Sequence, residues 1–415
     1  MSAVAGHVSG FFGWRVVGAA FVVAVFSWGV GFYGPSIFLQ ILHKDHSWPV
    51  SLISGAITCH FLLSAGIVVR LPILYQRFGL ASVTRAGGVA AGVGAVGWAF
   101  ATEAWQLYPA ALLSGVGWAF TSGAAINAMV APWFNRRRPA ALSMAFNGAS
   151  VGGVLFAPLW AFLIARIGFA AAVTTVAIVM VTTLWWLAGA YFNVSPKSLG
   201  QSPDGETGIE AQVDLAPKPG LRLAATLPVG FAMWLDRRFA TLSISFALGL
   251  FAQIGLIAFL FSLLAPVLGE TGAGAAVSLT TACAVLGRTL FGILLPAGAD
   301  RRVAAALNFA IQIAGTTTLL AAGGTSIPLS LLGCILFGLG LGNLVSLPPL
   351  IAQSEFVRSD LNRVVALVTA TNQAVFAFAP VVLGSLSDIA GTPRAPVLAV
   401  VLVQVVAVTT VLAGR

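Results

Sequence analysis

The stretch Asn193-Val194-Ser195-Pro196-Lys197-Ser198-Leu199-Gly200-Gln201-Ser202-Pro203-Asp204-Gly205, which continues through Pro217-Lys218-Pro219-Gly220 to Asp236-Arg237-Arg238, decides the reading of this chain. It is polar, acidic in places and full of turn residues, in a sequence that is otherwise almost continuously apolar. Of 415 residues, 59% are hydrophobic and 8% are charged, and 46 are glycine. No soluble domain of this length has that composition, so the chain is a polytopic membrane protein. The polar stretch is then a linker, and the expected division is an N-terminal half at 1–192, a linker at 193–238 and a C-terminal half at 239–415.

Working outward at about 20 apolar residues per span, six helices precede the linker, at 14–40, 50–74, 85–102, 106–131, 138–164 and 169–192. Six more follow it, at 239–266, 272–296, 303–323, 327–353, 363–386 and 394–414. The fold class is all-α, with twelve transmembrane helices in two pseudo-symmetric six-helix bundles. Met1 to Gly13 lacks a basic n-region and the first apolar stretch runs on into a full span, so the first helix is expected to be retained.

The net charge of +9 resembles a nucleic-acid footprint until the basic residues are assigned to sides. With the N-terminus inside, seventeen fall on the inner side, among them Arg77, the Arg136-Arg137-Arg138 triplet and Arg301-Arg302; Lys44, Arg166 and Arg394 fall outside. Both termini and the linker are expected in the cytoplasm, and no nucleic-acid partner is implied. Arg70, one to two turns from the inner end of its helix, is expected to snorkel.

One basic residue remains. Arg288 lies in Gly287-Arg288-Thr289-Leu290-Phe291-Gly292, with no other charge around it. A guanidinium at that depth costs at least about 2.5 kcal/mol, so it must face the bundle interior or a cavity. All twelve acids fall in loops, the linker or helix ends. The natural partner is therefore an anion that the protein carries, held by a charge-assisted, bidentate clamp; the alternative is a structural Arg satisfied by helix carbonyls.

The two halves match at a steady offset of about 224 residues, the mark of a transporter built from repeats around a central site. Pro72 to Arg77 parallels Pro296 to Arg301, Gly115 and Gly117 parallel Gly338 and Gly340, and Ala141 to Asn147 parallels Ala366 to Asn372. The glycines read as close-packing points between helices. Arg288 has Ser64 as its counterpart and His60 has Ala284, so these two residues are asymmetric and suit substrate chemistry. His60 can accept a proton near neutral pH or serve as a substrate donor; a neutral, hydrogen-bonded bundle histidine is the alternative. Asn147, Asn372, Gln373, Tyr33, Gln253 and Asn343 add polar groups to apolar helices and are the remaining candidate substrate-binding residues, with Trp118 and Phe146 as walls.

The organisation resembles the major facilitator superfamily over the whole chain. The turns Gln76-Arg77-Phe78-Gly79 and Asp300-Arg301-Arg302 resemble its loop motif, with Pro72 and Gln76 departing from it in the first copy. The resemblance implies a gating role for Arg77, Asp300 and Arg301. Within the superfamily, Trp133-Phe134-Asn135-Arg136-Arg137-Arg138-Pro139 through Gly148 and Gly152 resembles the fifth-helix signature of the monocarboxylate transporters and their oxalate:formate antiporter-like relatives. Ser143 and Asn147 depart from it, and Gly10 to Trp14 partly matches the first-helix signature, with Ser9 replacing its acid. In that family an eighth-helix Arg binds the substrate carboxylate, and Arg288 matches it. The acid usually one turn earlier is Ala284, and no Lys occurs in the first or eleventh helix.

The expected function is secondary active or facilitative transport of a small organic anion, a monocarboxylate, by alternating access in a bacterial cytoplasmic membrane. The mode is open between symport with a proton, exchange for a counter-anion, and facilitated diffusion. The alternative is a small neutral or aromatic solute, with Arg288 structural. A functional monomer is expected. No cofactor, metal or catalytic residue is implied, because Cys59, Cys283 and Cys334 lack metal-type spacing and no phosphate loop, His-Glu pair or Ser-His-Asp set occurs; the chain is not read as an enzyme.

Overall fold

The computed structural model describes residues 11–205, 230–296, 298–357, 359–392 and 394–415. Ser9 and Gly10, the Pro217-Lys218-Pro219-Gly220 turn, Ala297 and Arg358 lie outside the described residues. Among the described residues, twelve helical spans are long and apolar enough to cross a membrane when the bent pair is taken as one. In the first half they are α1 (Gly13–His46), α2 (Val50–Val68 with Leu71–Phe78), α3 (Leu80–Ala99), α4 (Ala104–Trp133), α5 (Arg138–Ile167) and α6 (Phe169–Tyr191). In the second they are α7 (Arg237–Ile257), α8 (Gly272–Leu294), α9 (Arg301–Ala322), α10 (Ile327–Glu355), α11 (Leu361–Ser387) and α12 (Arg394–Ala413). No strand occurs among the described residues.

Local chemistry sets the breaks. Gly79 (φ 78°) joins α2 to α3 and Gly269 (φ 69°) turns the chain between α7 and α8, positions that a side chain would strain. Arg70 sits exposed at the point where α2 bends by 62°, just before Pro72. Asp300 caps α9, its carboxylate accepting from the backbone N–H of Arg302 (2.9 Å) and Val303 (3.2 Å).

The helices pair in the same way in both halves: α1 on α5, α2 on α4, α3 on α4 and α6; then α7 on α11, α8 on α10, α9 on α10 and α12. The matched glycines are contact points in each. A Cβ on Gly115 would lie 2.5 Å from the His60 carbonyl oxygen, and one on Gly338 would lie 2.5 Å from that of Thr280. Between helices in lipid there is no hydrophobic drive, so close backbone approach of this kind supplies the association energy.

The two halves meet from mid-membrane to the face that carries the linker. Ser64 on α2 donates to Gln373 on α11 (2.8 Å), Gln373 donates to Ser122 on α4 (3.4 Å), and Asn147 on α5 donates to Thr289 on α8 (2.7 Å). At the linker face, Gln353 of α10 donates to the Asn135 carbonyl (3.3 Å). The linker itself is tied to the first half. The carboxylate of Asp204 accepts from the backbone N–H groups of Asn135 (2.9 Å), Arg136 (2.8 Å) and Arg137 (3.2 Å), so the basic triplet surrounds a docked acid.

Candidate functional site

α1 is not uniform. Ser27–Phe32 forms a wide π-turn. Pro35 explains it: its ring collides with the carbonyl four residues back, at Gly31, and it has no N–H to donate, so the helix loosens there. The wider turn brings Trp28, Phe32 and Tyr33 to the centre of the molecule, where they line a cavity of about 880 Å³, counting its open mouth.

Both halves build this cavity. The first adds Trp118 from α4 and Ser150 from α5; the second adds Gln253 from α7, Arg288 from α8, Pro348 and Pro349 from α10, and Thr369, Asn372, Gln373 and Phe376 from α11. Among the described residues, Arg288 is the one charged residue in the lining. It is 3% exposed; its Nε donates to the Gly342 carbonyl (2.6 Å), where α10 is broken, and its Nη1 donates to the Phe146 carbonyl of α5. One acceptor belongs to each half. Both are neutral, and two bonds engage only part of a five-donor guanidinium, so its charge is met by dipoles alone.

Of the residues expected at the site, Arg288, Tyr33, Gln253, Asn372 and Gln373 come together around the cavity. Three others lie apart from its lining. His60 is fully buried between α2 and α4, its Nδ1 hydrogen-bonded with Ser114 Oγ (2.9 Å), which also accepts from Trp98 Nε1 (3.3 Å). Packing against Gly115 turns this face of α2 into its own half, while Ser64, one turn on, faces Gln373. Asn343 donates to Asn308 Oδ1 (2.8 Å) inside the second half. Asn147 serves the tie to Thr289 between the halves, next to Arg288 in sequence.

The expected gating residues form no cluster. Arg77 is exposed over the Phe78 ring, Asp300 caps α9 and pairs with Arg415 (2.9 Å), and Arg301 is half-buried at the start of α9. The buried ionic contact on this face is Arg302 with Glu355 of α10 (2.5 Å to Oε1 and 2.8 Å to Oε2). Arg302 also donates to Thr241 and to the carbonyls of Arg238 and Val411, which binds α7, α9, α10 and α12 together. Sequence reasoning missed Trp28, Phe32, Phe376 and Thr369 in the lining. Phe376 was within reach, because it shares a helix face with Asn372 four residues earlier.

A family model described as the Major Facilitator Superfamily matches residues 19–380. The chain belongs to the major facilitator superfamily. Its fold is that of solved members: the human organic anion transporter MFSD10 (TETRAN) superposes with a TM-score of 0.71 at 15% identity, over 96% of this chain and 99% of that one. The Escherichia coli fucose:proton symporter gives 0.70 at 14% identity, over 96% and 98%. In sequence, this superfamily member is 32% identical to monocarboxylate transporter 3 of Mus musculus over 166 residues, 40% of this chain and 33% of the relative. It is 31% identical to human monocarboxylate transporter 11 over 170 residues, 40% of this chain and 35% of that protein. The match thus spans about a third of the length of these relatives. The chain is an integral membrane protein of the superfamily.

Proposed function

We propose that this transporter moves a small organic anion, a monocarboxylate, by alternating access of its two halves, with Arg288 as the carboxylate clamp. The observation that supports the reading is the placement of Arg288: among the described residues it is the single charge lining a cavity between the halves, bonded to neutral carbonyls, with no acid in the lining. A carboxylate supplies the missing counter-charge in bidentate geometry. It takes donors that the Gly342 and Phe146 carbonyls leave free, so substrate binds where Arg288 bridges the two halves. The names of the sequence relatives agree with this substrate class.

In the same reading, residues 1–192 and 239–415 are the moving units, with 193–238 the connection between them. The excess of basic residues on the linker face supports both termini lying on the cytoplasmic side of a bacterial inner membrane, and we take the working unit to be a monomer. His60 lies away from the cavity lining, which favours exchange or facilitated diffusion over proton symport through that residue. One observation favours a second reading: two carbonyls already hold Arg288, as they would hold a structural Arg beside a neutral or aromatic solute. Counterflow in proteoliposomes tests the choice. Exchange with carboxylates that disappears in Arg288→Ala supports the clamp; no exchange with any carboxylate across a broad panel sinks it.

A further inference from the structure

Three residues of the cavity lining each carry a buried side-chain atom with no hydrogen-bond partner among the described residues: the Trp118 Nε1 donor, and the amide oxygens Gln253 Oε1 and Asn372 Oδ1. Trp118, Gln253 and Asn372 are 3%, 5% and 5% exposed, so a small rotation of each side chain is what turns its polar atom towards a ligand in the cavity. Neighbouring Gln373 differs: its amide is already engaged by Ser64 and Ser122. Buried polar groups without partners are uncommon and mark a place where something else makes the bond. A hydroxyl complements this set, because it donates to an amide oxygen and accepts from an indole N–H in one group.

The remaining surface is aromatic. Trp28 meets Trp118 edge-on at 4.9 Å between ring centres, Phe32 lies 6.0 Å from Trp118, and Phe376 lies 6.4 Å from Phe32. All four line the cavity, and edge-to-face packing of this kind extends to one more ring. A three-carbon acid leaves most of that wall uncovered. An ammonium group, on the other hand, finds no carboxylate in the lining to pair with.

We infer that the substrate is an aromatic monocarboxylate bearing a hydroxyl group: its carboxylate on Arg288, its ring against Trp28, Phe32, Trp118 and Phe376, and its hydroxyl among Trp118, Gln253 and Asn372. This rests on the carboxylate reading above and narrows it.

The test is competition in proteoliposomes against counterflow of radiolabelled phenyllactate, with five unlabelled compounds: phenyllactate, phenylpropionate without the hydroxyl, lactate without the ring, phenylalanine with an ammonium in place of the hydroxyl, and phenylpropanediol without the carboxylate. Phenyllactate is expected to compete at least about ten-fold better than each other compound, the effect of one lost hydrogen bond or more. Lactate, phenylpropionate or phenylalanine competing as well as phenyllactate overturns the inference and leaves the carboxylate reading standing. So does exchange of labelled lactate with none of phenyllactate. Phenylpropanediol competing equally overturns the carboxylate reading itself. In Gln253→Leu and Asn372→Leu, the ratio of phenyllactate to phenylpropionate affinity is expected to fall towards one. That ratio is internal to each variant and does not move with expression or folding, and an unchanged ratio in both overturns the assignment of the hydroxyl.

Discussion

The two halves share a scaffold and differ in what they carry. Helix pairings and glycine contacts repeat: Gly115 against His60 in the first half, Gly338 against Thr280 in the second. Two features that carry charge do not repeat. At the linker face, the second half has the buried Arg302–Glu355 pair, while the first has Phe78 and Ala131 at the corresponding positions, 224 residues earlier. Around the cavity, the second half brings Arg288, Gln253, Asn372 and Gln373, and the first brings mostly aromatic surface plus one backbone carbonyl. Packing tolerates duplication because both copies face the same lipid. A substrate with one polar end does not need two copies of its site.

This difference has consequences for stability. Arg302→Leu leaves the part-buried Glu355 without its partner and Thr241 and two backbone carbonyls without their donor, and is expected to destabilise the protein by about 1–3 kcal/mol, read as the midpoint of thermal unfolding in detergent. Phe78→Leu, at the matching exposed position, is expected to stay within about 0.5 kcal/mol. Equal losses at the two positions would show that the ionic asymmetry is unimportant.

The shared scaffold predicts the opposite pattern. Gly115→Ala and Gly338→Ala each push a Cβ onto a backbone carbonyl oxygen and are expected to destabilise alike, by about 1–3 kcal/mol. A large effect in one half only would undo the equivalence of these contacts.

The twelve spans, the glycine contacts and the burial of Arg288 were legible in the sequence, because lipid imposes length, hydropathy and small residues directly on it. Which way a polar side chain faces was not. His60 and Ser64 sit one turn apart on α2, yet one packs against Ser114 and the other reaches Gln373 across the molecule. In a helix that is apolar on every side, no polar stripe marks the inner face. The π-turn that aims Trp28, Phe32 and Tyr33 was also hidden, although Pro35 four residues after Gly31 is its cause. Likewise the Arg136 to Arg138 triplet was explained by topology, and the carboxylate it surrounds, Asp204, comes from a linker 67 residues or more away.

Smaller effects follow at the two docked acids. Asp204→Ala removes an acceptor from backbone N–H groups just ahead of α5 and Asp300→Ala one from N–H groups in the first turn of α9, and each is expected to lower stability by about 1 kcal/mol. Their sum in the double variant is expected to be additive, since the two lie in different halves. Asn147→Ala removes the tie to Thr289 and is expected to change stability by only about 0.6 kcal/mol, the average for a hydrogen bond between membrane helices. A loss several times larger would mean that this contact carries more of the join between halves than its geometry implies.

The most direct measurement is carboxylate counterflow through purified wild-type protein, Arg288→Lys and Arg288→Ala in proteoliposomes. Removing the clamp is expected to weaken carboxylate affinity by about thirty-fold or more, with Lys in between because it keeps the charge and loses the bidentate geometry. Carboxylate affinity retained in Arg288→Ala would contradict the proposed function and leave Arg288 as a structural bridge between the Phe146 and Gly342 carbonyls.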